Sequence, residues 1–188
     1  MSPSKVRRPQ IVVGEKAGFC MGVRRAMELV LEAVRHAEDI KVYGPLVHNP
    51  QVIELLRLRG VECERDKDKI RDGTVVLRSH GVPFEVEQEF RARGLNILDA
   101  TCPKVKRVQR LARKHAQDGR TVLIFGDPDH AEVKAILSYA KGRAKVVQKP
   151  EELETLSIDG TPALLAQTTQ DRKRFGELAE LLKRRYPG

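Results

Sequence analysis

Two thiols, three imidazoles and one carboxylate stand out in this sequence because each sits at a junction between regular segments. Cys20 lies in Ala17-Gly18-Phe19-Cys20-Met21-Gly22-Val23, and Cys102 in Asp99-Ala100-Thr101-Cys102-Pro103. His48 occurs in Leu46-Val47-His48-Asn49-Pro50 and His80 in Arg78-Ser79-His80-Gly81-Val82. His130 is followed two positions later by Glu132, and Gln167-Thr168-Thr169 adds a pair of hydroxyls. Thiolates 82 positions apart suit a soft metal or an iron–sulfur cluster held between two structural units. Imidazoles combined with Ser79, Thr168 and helix N-termini suit a diphosphate. A glutamate two residues from a histidine suits proton delivery to a leaving group. Each residue alone has a plainer explanation. A loop histidine commonly caps a helix, a threonine pair before a helix serves as an N-cap, and a lone cysteine behaves as a small hydrophobe. Their common placement carries the argument.

That placement follows from the alternation of short β-branched runs with amphipathic stretches. Strands are expected at Ile11-Val12-Val13, Lys41-Val42-Tyr43, Thr74-Val75-Val76-Leu77 and Leu95-Asn96-Ile97-Leu98. A further strand is expected around Val61-Glu62-Cys63. In the second half they are expected at 121–125, 144–147 and 162–166. Helices are expected over 23–34, 51–59, 84–93, 105–117, 132–140, 150–156 and 171–185. Strand–helix alternation of this kind predicts α/β architecture with parallel sheets flanked by helices, here as two small modules, 1–100 and 101–188. In open parallel sheets, ligands bind beyond the carboxyl ends of the strands. Six successive strand-to-helix turns would then deliver Cys20, His48, His80, Cys102, the His130/Glu132 pair and Gln167-Thr168 to one functional edge. His36 and His115 are expected within helices and Cys63 within a strand, as structural or solvated groups.

Composition narrows the partners. The chain has 188 residues, is 40% hydrophobic and has no Trp, with three Tyr and five Phe. That suits aliphatic cores and argues against disorder. No apolar run approaches the roughly 20 residues that a membrane span requires, and the basic start Met1 to Pro9 lacks the apolar stretch of a secretory signal. A cytoplasmic location is therefore expected, with no membrane partner. Three cysteines without a CxxC spacing make no disulfide framework. The net charge of +9 invites a nucleic-acid reading, but the basic residues are dispersed and few aromatics are available to stack bases. A small anionic substrate suits the same charge.

Taken in order, these motifs resemble the 4-hydroxy-3-methylbut-2-enyl diphosphate reductases. The likeness runs through Gly18-Phe19-Cys20-Met21-Gly22-Val23, Val47-His48-Asn49, Ser79-His80-Gly81-Val82 and Asp99-Ala100-Thr101-Cys102-Pro103. It continues through His130-Ala131-Glu132-Val133 and Gln167-Thr168-Thr169, and covers about 11–187. The resemblance implies a [4Fe-4S] cluster, with Cys20 and Cys102 as two of its three cysteine ligands. It implies diphosphate binding by His48, His80 and His130, with Gln167 on the substrate-binding side. Glu132 would supply protons and Thr168 would position the substrate's hydroxyl end. Two electrons from a ferredoxin or flavodoxin would then remove the hydroxyl of the allylic diphosphate substrate as water, giving isopentenyl and dimethylallyl diphosphate. The family's three-module, trefoil-like arrangement has a third module with a further cysteine and a Ser-x-Asn motif. Neither is in this sequence, so either the chain is a fragment, the favoured expectation, or a separate polypeptide completes the site, or the protein is a non-catalytic relative. It also departs from the family at Gly126-Asp127, usually Gly-His, and at Ala131, usually Pro.

Two other classes fit some of the same residues. A non-catalytic metal-binding module of the family would use the two thiols and histidine for Zn²⁺. His130-Ala131-Glu132 also matches the H-x-E of zinc deaminases, but no cysteine follows Cys102 to complete that signature.

Overall fold

The computed structural model describes residues 10–14, 17–158 and 160–187. It contains two parallel sheets. The first has the order β2-β1-β3-β4, from β1 (Ile40–Tyr43), β2 (Val61–Glu64), β3 (Thr74–Leu77) and β4 (Asn96–Asp99). The second has the order β6-β5-β7, from β5 (Thr121–Phe125), β6 (Ala144–Val147) and β7 (Pro162–Ala166). Every pairing is parallel. The helices are α1 (Met21–Ala33), α2 (Pro50–Arg57), α3 (Phe84–Ala92), α4 (Pro103–Gln117), α5 (Ala131–Tyr139), α6 (Glu152–Thr155) and α7 (Arg172–Arg185), with a 3-10 turn at Lys67–Lys69. The expected α/β class with helix-flanked parallel sheets is what the chain adopts.

Period-2 alternation explains why both faces of each sheet are covered. Along β3, Val76 points into a core with Ala26, Val30, Val42 and Leu56, whereas Val75 and Leu77 pack with Ile70, Phe90 and Leu95. All four β3 residues are buried, as expected for a parallel strand covered on both sides. β5 divides the same way: Val122 and Ile124 pack towards α4 and α5, and Leu123 and Phe125 towards Leu178 and Leu182 of α7.

The strand expected at Ile11-Val12-Val13 is not formed. These residues pair with no strand among the described residues and are 87%, 78% and 77% exposed. β-branched composition favours a pleated, half-buried surface, but a strand exists only where a partner edge supplies its hydrogen bonds. Cys20 is therefore reached through an unpaired segment, and five of the six junctions follow true strands. His36 lies just past the end of α1, where its Nε2 meets Glu32 Oε1 at 3.2 Å, while His115 is within α4.

The sequence of pairings creates two topological switch points. From β1 the chain moves outward to β2, then returns to the other side of β1 to lay down β3. From β5 it moves to β6 and returns to place β7 on the other side. Loops leaving neighbouring strands at such points diverge and leave a crevice. β1 and β3 carry the His48 and His80 loops; β5 and β7 carry the His130 and Gln167-Thr168 loops.

Candidate functional site

At the first switch point the two loops are locked together. The Ser79 hydroxyl donates to Leu46 O at 2.8 Å, and the Ser79 N–H reaches the same carbonyl at 3.2 Å. His48 and His80 consequently lie with ring centroids 5.0 Å apart. His80 meets His130, from the other sheet, at 5.3 Å and nearly edge to face. Three imidazoles from three loops thus converge, with His80 in the middle. Burial, followed by the neighbouring His48, His130 and Arg78 charges, pushes the pKa of His80 down to about 4. Its Nδ1 is buried without a protein partner among the described residues. His130 caps α5, its Nδ1 accepting from Glu132 N–H at 3.2 Å. That contact fixes the ring and leaves Nε2 free of the capping role.

The second switch point is held by a carboxylate. Glu132, at the start of α5, is only 1% exposed. It accepts from Thr168 N–H at 2.7 Å and from Thr168 Oγ1 at 3.0 Å. Gln167 is buried beside it, accepting from Asp127 N–H at 3.1 Å and donating to Thr169 Oγ1 at 2.9 Å. Gln167 therefore braces both loops, while the Thr168 side is exposed to solvent.

The cysteines occupy equivalent places on two helices. Cys20 is the N-cap of α1 and Cys102 the N-cap of α4, and neither side chain makes a capping hydrogen bond. A Cβ on Gly22 would lie 2.7 Å from Cys102 Sγ, so the sulfur occupies the space that the missing side chain of α1 leaves. Arg25 on α1 strengthens the approach by donating to Thr101 O at 3.2 Å and Asp99 O at 3.4 Å. Cys102 N–H donates to Ser79 O at 2.9 Å, joining the thiol turn to the His80 turn. Both N-termini therefore lie around one region, where helix dipoles favour negative charge. A cavity of about 270 Å³ beside it is lined by Phe19, Val23, Val47, His48, Asn49, Ser79 and His80. Among the described residues no group of three or more His, Cys, Asp or Glu side chains is arranged to hold a metal ion. The two uncapped cysteines fit part of a thiolate donor set and do not complete one.

Two contributors escape a reading of the sequence. Arg25 looks like a dispersed surface charge, and only its position one turn past Cys20 hints at a partner across the helix. Gln109 of α4 is 1% exposed with both amide atoms unpartnered among the described residues, and its amide lies where a side chain on Gly81 would be. Its spacing from Val105, Ala112 and Ala116 puts it on the apolar face of α4, which is the signal that could have found it. Cys63 is exposed on β2 and belongs to none of these groups.

Comparison with known proteins gives a consistent result. The family model described as LytB protein matches residues 11–188. A 4-hydroxy-3-methylbut-2-enyl diphosphate reductase of Solidesulfovibrio magneticus is 42% identical over 186 residues, covering 94% of this chain and 65% of the relative. That of Oleidesulfovibrio alaskensis is 45% identical over 174 residues, with 90% and 62% covered. A solved (E)-4-hydroxy-3-methyl-but-2-enyl diphosphate reductase superposes with a TM-score of 0.81 at 34% identity, covering 94% of this chain and 64% of that one. The Plasmodium falciparum reductase gives 0.85 at 25% identity, with 92% and 56% covered. The chain thus spans a little under two thirds of the length of these proteins.

Proposed function

The chain belongs to the LytB family, and from that membership we propose that it forms the larger part of a 4-hydroxy-3-methylbut-2-enyl diphosphate reductase. The overall change is removal of the allylic hydroxyl as water by two electrons and two protons, giving isopentenyl and dimethylallyl diphosphate. The observation that carries this reading is the meeting of His48, His80 and His130 at 5.0 and 5.3 Å from both switch points. An anion lying among them would offset the burial and the neighbouring charges that push His80 towards its neutral form. A diphosphate would supply that anion, and the helix N-termini beside it favour the same charge.

Glu132 and Thr168 form the proton-handling pair. The buried carboxylate holds Thr168 Oγ1 at 3.0 Å, and the exposed hydroxyl links it to the crevice. A proton carried on Glu132 Oε2 would pass to Thr168 Oγ1, 3.0 Å away, as that hydroxyl gives its own proton to the departing oxygen. Gln167 keeps the Thr168 turn against the Asp127 loop. Cys20 and Cys102 would hold a [4Fe-4S] cluster together with a third cysteine outside this chain. That cluster supplies the electrons when bound, and ferredoxin or flavodoxin suits as their source. Among the described residues no helix is long and apolar enough to cross a membrane.

Calorimetric titration with 4-hydroxy-3-methylbut-2-enyl diphosphate tests the pocket. Asn at His80 should weaken binding about tenfold or more, as expected for loss of a charge-assisted bond. Unchanged affinity in a triple His48/His80/His130→Asn variant would overturn it. A second reading, a metal-binding module without turnover, is favoured by the two thiols lacking a third donor among the described residues. Anaerobically purified protein with stoichiometric zinc and neither iron nor sulfide would support that alternative.

A further inference from the structure

A second cavity, of about 360 Å³, opens next to the imidazole group and is lined by Tyr43, Gly44, Pro45, His48, Arg65 and Arg78. Only His48 is common to this cavity and the one beside Phe19. We propose that it is an accessory binding site for a small phosphate-type oxyanion, distinct from the diphosphate position among the imidazoles and sharing His48 with it.

The argument begins with Arg78, the residue that follows β3. Its Nε–H donates to Gly81 O at 3.2 Å, across a turn closed by Gly81 N–H on Arg78 O at 2.9 Å. The guanidinium then lies against the backbone at the end of β1. Gly44 has φ +72°, and a Cβ there would lie 2.7 Å from Arg78 Nη1. The glycine satisfies both the left-handed turn and the close approach of the arginine. Arg78 is thus a half-buried cation set in a fixed place. Among the described residues no carboxylate lies within 4.0 Å of it, and no ion pair involves it. Burial works against its charged form.

The acid closest in sequence to this cavity wall is already engaged. Glu64 accepts from Arg65 N–H at 2.7 Å and from Asp66 N–H at 2.8 Å, turning its charge back on its own loop. Arg65, exposed on the cavity wall, has no ion pair among the described residues either. Two guanidinium groups and one imidazole therefore border one cavity, and neither guanidinium has an ion-pair partner among the described residues. A partly desolvated cation without a counter-charge is costly, and an oxyanion relieves that cost. Guanidinium forks match phosphate oxygens in pairs, which favours phosphate over a spherical anion. Because His48 borders both cavities, an anion held by Arg78 draws that ring away from the imidazole group. Occupancy of the accessory site should therefore weaken diphosphate binding at the main one.

The proposal does not require the reductase reading, and residue-resolved NMR of the chain with inorganic phosphate at low ionic strength separates the two. The Gly44 amide and the Arg78 Nε–H resonances should shift saturably. Arg78→Gln should weaken that titration about tenfold, the usual scale for losing a charged fork, and Arg78→Lys should fall between. His80→Asn should leave the Gly44 titration in place. Should Arg78→Gln fail to fold, Arg65→Gln, at an exposed position, should weaken the same titration about threefold, as expected for one solvated charge. Phosphate shifts confined to the neighbours of His80 and His130 would overturn the accessory site. So would a Gly44 titration unaltered by Arg78→Gln or by Arg65→Gln.

Discussion

The carboxylate of Glu132 receives two hydrogen bonds from one residue, Thr168, through its backbone N–H at 2.7 Å and its hydroxyl at 3.0 Å. The first of these bonds is architectural, since it ties the start of α5 to the end of β7. The second places an exposed hydroxyl on a buried acid. The two can be separated by mutation.

Glu132→Gln keeps an oxygen for the Thr168 N–H and an amide for its hydroxyl, so stability should fall by about 1 kcal/mol or less. Proton supply should be lost, and turnover should drop about 10²-fold or more if Glu132 acts as the general acid. Glu132→Ala strands the Thr168 N–H as well and should cost about 1–3 kcal/mol. Thr168→Val removes only the hydroxyl bond. Urea unfolding and steady-state turnover on the same preparations distinguish the two roles, and equal loss of stability in Gln and Ala variants would contradict the separation.

A second test concerns the meeting of α1 and α4. Alanine at Gly22 favours the helix by up to about 1 kcal/mol, yet its Cβ would be placed 2.7 Å from Cys102 Sγ. The sulfur must move. Gly22→Ala should therefore keep its circular dichroism and lose thiol-dependent metal retention, read as iron and sulfide per chain after anaerobic reconstitution.

The depressed His80 pKa gives a directional pH prediction. With the folded value at about 4 against an ordinary 6.5, the unfolded chain binds more protons between those limits. This residue's contribution to stability is thus fully present above pH 6.5 and is lost as pH falls through about 4. A diphosphate among the imidazoles should oppose the shift and raise the pKa. Titration of the His80 ring resonances, with and without inorganic diphosphate, checks both statements.

Tyr139 links α5 to α3, its hydroxyl donating to Glu87 at 2.7 Å. Burial, then the Glu87 carboxylate, holds the phenol well above its usual pKa. Glu87 keeps Arg91 at 2.8 Å and Lys106 at 3.6 Å as other partners. Tyr139→Phe should consequently cost about 1–2 kcal/mol, near the lower end for a single bond to a charged group, as measured by denaturant midpoint.

Much of this arrangement was legible in the sequence because parallel α/β units restrict where a loop residue can go. His48, His80 and Cys102 follow short apolar strands and precede helices, and they emerge where strand-end geometry puts them. Glu132 and Thr168 were identifiable as candidates, but not as each other's partner, since 36 residues separate them and nothing local specifies strand order. Ile11-Val12-Val13 misled for a related reason. Strand propensity is local, whereas strand pairing depends on which edge is available. Arg25 was invisible because its role arises from a contact between elements; Gly22 stood in the Cys20 motif and Gln109 on the apolar face of α4, but neither pattern named the partner it meets.

The most direct test of the central claim uses the protein reconstituted anaerobically and supplied with 4-hydroxy-3-methylbut-2-enyl diphosphate and a low-potential electron donor. Wild-type protein should retain iron and sulfide and release isopentenyl and dimethylallyl diphosphate. Cys20→Ser and Cys102→Ser should each abolish both properties, while the three-histidine variant should keep iron and lose turnover. Wild-type product formation by a Cys20→Ser, Cys102→Ser double variant would contradict the account.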